Sequence, residues 1–165
     1  MQFLITFEIK TIMGFKQVFI AKLDWLLSKN EVATYTKSHT ITIEDKAVLP
    51  VSAAKAFKGD PALYNPEDLL LSSVVSCHMM SYLYVCQQNG IDVVSYKDEA
   101  EATLEVLVDG SGRFTAIKLN PKVRITDQEK VAEALRLHKK ANELCFIANS
   151  CNFPISHFPT CEVAN

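Results

Sequence analysis

Residues 65–90 constrain the fold of this chain more than any other stretch. They open Asn65-Pro66-Glu67-Asp68, run apolar on nearly every side through Leu69, Leu71, Val74, Val75, Met79, Met80, Leu83 and Val85, and close on Gly90. An asparagine at the N-cap, a proline in the first helical position and two acids in the first turn are what a helix start requires. Gly90 sits where a left-handed C-terminal cap is expected. A helix of this length that is apolar almost all round belongs in the middle of a domain with other elements packed on it.

The flanking segments supply those elements. Residues 17–25, 33–36 and 39–44 alternate well enough for three strands, so the first third of the chain reads as a small antiparallel sheet. Residues 50–64 contain Gly59-Asp60-Pro61 and read as a loop leading into the helix. After it, 95–108 and 113–126 alternate as two strands around Asp109-Gly110-Ser111-Gly112, a hairpin signal. Thr126-Asp127-Gln128-Glu129 resembles a capping box that opens a second long helix, with Val131, Leu135, His138 and Leu144 along one side. Asn152-Phe153-Pro154 ends that helix and leaves a tail with one final strand. The order β-β-β-α-β-β-α-β gives an α+β class with sheets around one long central helix.

At 165 residues, about half of them apolar, one well-buried core is the expectation. A formal net charge of -2 with interspersed signs supplies no basic field for nucleic acid and no polybasic patch for a membrane surface. Charged residues interrupt the apolar N-terminal stretch, which argues against a signal peptide, and no uninterrupted apolar run reaches the roughly 18 residues of a membrane span. Five cysteines, an odd number at spacings that match no small disulfide scaffold, point to free thiols in a reducing cytoplasm.

Two of those thiols stand apart from the others. Cys77 lies inside the central helix on a face with Ser73, Ser81 and Tyr84, and Cys145 lies in the second helical segment within 141–150. Two thiols on separate apolar helices can form a buried redox pair; the plain alternative is that Cys77 packs as a small hydrophobe. A redox thiol reacts as the thiolate, which an apolar setting disfavours unless a cation is brought to it. His78 points roughly 100° away around the helix. Lys58, in the loop before the helix, can fold over the thiol. Glu67 could orient such a cation, yet ten helical residues separate it from Cys77, about 15 Å along a straight axis. Both serve one site only if the helix is broken or the site is built across a twofold dimer. Cys86 faces the opposite side of the helix and reads as core. Cys151, His157 and Cys161 have metal-binding atoms but lack a fourth ligand and a short chelating cysteine pair, so no metal and no bound cofactor is expected.

The run Asn-Pro-Glu-Asp-Leu-Leu-Leu-Ser-Ser-Val-Val-Ser-Cys-His-Met at 65–79, with its cysteine ten residues after the glutamate, resembles the OsmC/Ohr family of osmotically inducible and organic hydroperoxide resistance proteins. Residues 141–150 resemble the family's second-cysteine helix. Residues 1–15 read as an N-terminal extension and 16–165 as a single OsmC-like domain. The resemblance implies an intertwined homodimer with sites at the subunit interface, Cys77 as peroxidatic and Cys145 as resolving cysteine, and Glu67 as the carboxylate that orients an arginine. It also implies an organic hydroperoxide substrate and an external dithiol reductant of the lipoyl type. The chain departs from Ohr-type members in having no arginine before Arg113. Lys58 is the candidate substitute, although lysine lacks the planar fork that grips carboxylate and thiolate together, which implies weaker activity. A non-catalytic dimeric protein that binds an apolar small molecule is the competing function.

Overall fold

The computed structural model describes residues 16–27 and 36–164. The expected extension 1–15, and residues 33–35 of an expected strand, lie outside them. Helix α1 spans Pro66–Gln88, and its start follows the sequence: the Asn65 side chain accepts a hydrogen bond from the Asp68 backbone N–H at 2.9 Å. Gly90 at φ 64° turns the chain into the left-handed region, which L-residues with a Cβ disfavour. There the Gly90 N–H donates to the Gln87 carbonyl and the Ile91 N–H to the Cys86 carbonyl, which satisfies the last turn.

Burial on α1 is one-sided in the single chain. Val74, Cys77, His78, Tyr82, Val85 and Cys86 face inward at helical spacing, whereas Met80, Leu83 and Tyr84 are exposed. The expectation of a helix buried all round is corrected accordingly for the described residues, among which no element covers the second apolar stripe. By length and composition alone α1 would also pass as a membrane span, a test that helices of protein cores pass as well.

Among the described residues nine strands form three three-stranded sheets. Strands β1 (Lys22–Asp24), β2 (His39–Thr42) and β3 (Leu49–Val51) make an antiparallel sheet; β3 takes up the start of the segment read as loop. Each of the two long strands expected at 95–108 and 113–126 divides between two sheets. Strand β4 (Val93–Asp98) pairs with β7 (Pro121–Ile125), and β5 (Glu101–Val106) pairs with β6 (Gly112–Leu119), all antiparallel. The break is pinned by side chains: the Asp98 carboxylate accepts the Asn120 backbone N–H at 2.7 Å, and the Asn120 amide donates to the Glu99 carbonyl at 2.8 Å. Pro121 then starts β7 without a donor of its own. The tail supplies two strands, β8 (Ile155–His157) and β9 (Thr160–Val163), which join β6 and β7 in parallel.

Asp127, not Thr126, caps the second helical segment: its carboxylate accepts the Glu129 N–H at 2.9 Å, while the Thr126 N–H donates to the Asp92 carbonyl. Helix α2 (Val131–Leu144) turns Ala134, His138 and Ala141 inward. Two alanines in that stripe let α2 lie close against α1, since helix separation follows the side chains at the contact. One core cluster joins α1 and α2 to the β4-β7-β9 sheet through Tyr82, Val85, Cys86, Val123, Ile125, Ala134 and Ala141. A second joins Val74 of α1 to Ile117 and Leu119 of β6.

Candidate active site

The α1–α2 packing brings Cys77 and Cys145 together. Cys77 lies halfway along α1 and is 9% exposed, whereas Cys145, the C-cap residue of α2, is fully buried. The Cys145 thiol is pushed up to about 11, first by burial and next by the Cys77 thiol beside it. The Ala148 backbone N–H donates to its sulfur at 3.4 Å. At neutral pH Cys145 is therefore a thiol held in place behind Cys77.

Cys77 contributes to the wall of an open cavity of about 440 Å³ whose other lining residues are Met80, Ser81, Tyr84, Leu144 and Phe146. Ser81 stands one turn from Cys77 and leaves room beside the sulfur; the remaining residues are apolar or aromatic. Phe146 is 80% exposed and Met80 57%, so both present apolar surface to whatever enters. Among the described residues no lysine, arginine or histidine lines this cavity.

Glu67 and Lys58 lie elsewhere. Glu67 lines a separate cavity of about 420 Å³ at the start of α1 with Phe57, Leu71, Leu104 and Phe114, and its Oε2 is buried without a hydrogen-bond partner. Lys58 is exposed and terminates a short 3-10 turn in the left-handed region at φ 61°, lining neither cavity. Among the described residues it forms no ion pair. Within one chain the structure thus brings the two thiols together and leaves Glu67 and Lys58 apart from them.

Cys86 packs in the core, as its phase on α1 requires. Cys151, His157 and Cys161 do not converge: Cys151 donates to the Ile147 carbonyl at 3.3 Å, His157 stacks on His78, and Cys161 packs against the α1–α2 cluster. Among the described residues no three metal-ligating side chains are grouped to hold an ion. What sequence reasoning missed is a stack of the buried His78 and His138 with the half-buried His157, which begins one residue past Cys77. Its only sequence signal is His138 on the apolar side of α2, which does not name a partner.

The fold and site define an α+β domain with paired thiols on two packed helices, one of them open to an apolar cavity. Residues 59–157 match the OsmC-like protein family, and the chain belongs to that family. It is 26% identical to the uncharacterized protein YmaD of Bacillus subtilis over 80% of this chain and 85% of that one. Among solved structures, an OsmC-like protein of unknown function from Vibrio cholerae superposes with a TM-score of 0.79 at 25% identity, covering 87% of this chain and 99% of the other. An organic hydroperoxide resistance protein from Elizabethkingia anophelis superposes with a TM-score of 0.66 at 15% identity, covering 92% and 100%, a likeness of fold.

Proposed function

We propose that the protein is a thiol-dependent peroxidase that reduces organic hydroperoxides to alcohols in oxidative-stress defence. The observation that carries this reading is the asymmetry of the thiol pair, in which Cys77 borders an apolar cavity and Cys145 is sealed behind it. The Cys77 thiolate attacks the terminal, hydrogen-bearing oxygen of the hydroperoxide, the O–O bond breaks, and the departing alkoxide takes a proton to leave as alcohol. Cys77 is thereby oxidised to a sulfenic acid. The Cys145 thiol then attacks that sulfur; the S–O bond breaks, water leaves, and a Cys77–Cys145 disulfide forms. An external dithiol, of the lipoyl type by family likeness, returns the two electrons by thiol–disulfide exchange. The chain's five unpaired thiols fit a reducing cytoplasm as its compartment.

We place the active form in a homodimer. Phe19 and Leu26 are 89% and 87% exposed, and together with Leu23 and the open stripe of α1 they present apolar surface that the described residues of the single chain leave uncovered. A second copy is also the source we assign to the missing charge: the orphaned Glu67 carboxylate oxygen invites a cation across the interface, with Lys58 the candidate. Light scattering on the eluted protein should give twice the 18.4 kDa chain mass, and a monomer at micromolar concentration would refute the assembly.

The cavity lining predicts substrate preference. Each buried methylene contributes about 0.8 kcal/mol, so an aryl or long-chain hydroperoxide should exceed hydrogen peroxide in kcat/KM by at least about tenfold. Peroxide consumption coupled to a dithiol measures this, and equal rates or none at all would sink the reading. The lining by Met80, Tyr84, Leu144 and Phe146, with no cation among the described residues, favours the alternative, an apolar-ligand binding protein in which Cys77 only packs. In that case Cys77 should resist alkylation near neutral pH.

A further inference from the structure

One residue past Cys77, His78 turns to the other side of its neighbour and meets α2. Its Nε2 lies 3.1 Å from Nδ1 of His138, both rings are at most 2% exposed, and this is a direct side-chain bond between the two thiol-bearing helices. The rings continue into a stack: His157 of β8 lies 5.1 Å from His78, and Tyr82 lies 3.9 Å from His138 on its other side. Cys145 follows His138 by seven residues, two turns along the same helix face. We propose that the His78–His138 bond is a latch that holds the end of α2, and with it Cys145, against Cys77, and that the latch opens when the stack is protonated. His78 and His138 are thus positioning residues for the thiol pair; their use in a peroxidase cycle rests on the function proposed above.

The surroundings of the stack explain why charge opens it. Among the described residues, the rings that face it are Tyr82 from α1, His157 from β8 and Tyr96 from β4, and behind Tyr82 stand Cys86 from α1 and Cys161 from β9. The nearest acids are one step removed: Asp98 accepts from the Tyr96 hydroxyl at 3.2 Å, and Glu133 on α2, which pairs with Lys130 at 3.0 Å, acts on Cys86. Among the described residues no carboxylate bonds to any of the three rings, while His78 Nδ1, His138 Nε2 and His157 Nε2 are buried without partners. A proton added here finds no counter-ion among them. Burial and the neighbouring histidines accordingly lower His78 to about 4 and His138 to about 3, and burial lowers His157.

The sign follows from linkage. An opened stack binds protons near the ordinary histidine value of about 6.5 and a closed one only near 4, so the latch is fully closed above pH 6.5 and weakens as pH falls toward 4. For His78 alone this multiplies the opening constant by roughly 30 at pH 5.

Irreversible alkylation of Cys145 by N-ethylmaleimide, read by peptide mass spectrometry and corrected with glutathione at the same pH, tests the latch without any peroxide. In the native sequence, Cys145 labelling should rise at least roughly 30-fold from pH 7.5 to pH 5, the contribution of His78 alone, while the far-ultraviolet helical signal is unchanged. In His78→Gln/His138→Gln it should be fast already at pH 7.5 and nearly independent of pH. A flat profile in the native sequence, labelling that begins only when the helical signal is lost, or a full acid rise in the variant would each overturn the latch. If the double variant loses its helices, His138→Gln replaces it, and the native profile decides by itself. A protein that passes this test and consumes no hydroperoxide keeps the latch and loses the peroxidase.

Discussion

Cys77→Ser is expected to bring hydroperoxide consumption down to the uncatalysed rate, a fall of at least about a thousandfold, because a hydroxyl is a far weaker nucleophile than a thiolate and has no sulfenic state. The substitution is nearly isosteric at a position 9% exposed, so the cavity formed with Met80, Ser81, Tyr84, Leu144 and Phe146 should persist. Thermal melting within a few degrees of the native protein would show that chemistry and not folding was removed. Four other cysteines remain in this variant as internal controls. Activity within tenfold of the native rate would mean that another thiol carries the reaction, and the assignment of Cys77 would fail.

Cys145→Ser is expected to separate the two halves of the cycle. Cys77 still meets the substrate, but the thiol that condenses with its sulfenic acid is gone. After one equivalent of organic hydroperoxide, a sulfenic-acid trap such as dimedone should modify Cys77 in nearly every chain, against almost none in the native protein. Excess peroxide should then carry Cys77 on to the sulfinic acid, irreversibly in the absence of a dedicated repair enzyme. Substitution by another residue type would mix this effect with packing, because Cys145 is fully buried and receives the Ala148 N–H. A disulfide that still formed efficiently in Cys145→Ser would show that some other cysteine resolves the intermediate. Cys86 is a poor candidate, since it lies nine residues on and packs on another side of α1.

The parts of this fold that sequence made legible are those with local causes. Asn65, Pro66 and Gly90 mark the ends of α1 because caps act through hydrogen bonds a few residues away. The two long strands were read through their breaks because alternation continues on both sides of Asn120 and does not say which sheet a residue joins. What breaks them is the Asp98–Asn120 contact, which spans 22 residues. Strands β8 and β9 pair in parallel, a contact with no turn to announce it. At the site, Cys77 was legible from its place among small polar residues on an apolar helix. Its proximity to Cys145, 68 residues later, follows only from the close approach that Ala134 and Ala141 permit between the helices. The histidine stack was hidden for the same reason: His78, His138 and His157 come from three elements, and each alone is an ordinary buried ring.

The most direct test of the central claim is peptide mapping of the fully reduced protein before and after one equivalent of an organic hydroperoxide, with free thiols alkylated before digestion. A peptide pair joined through Cys77 and Cys145 is the expected result, with Cys86, Cys151 and Cys161 still alkylated. Recovery of both Cys77 and Cys145 as alkylated thiols after peroxide would contradict it and leave the cavity to a ligand and not to a reaction.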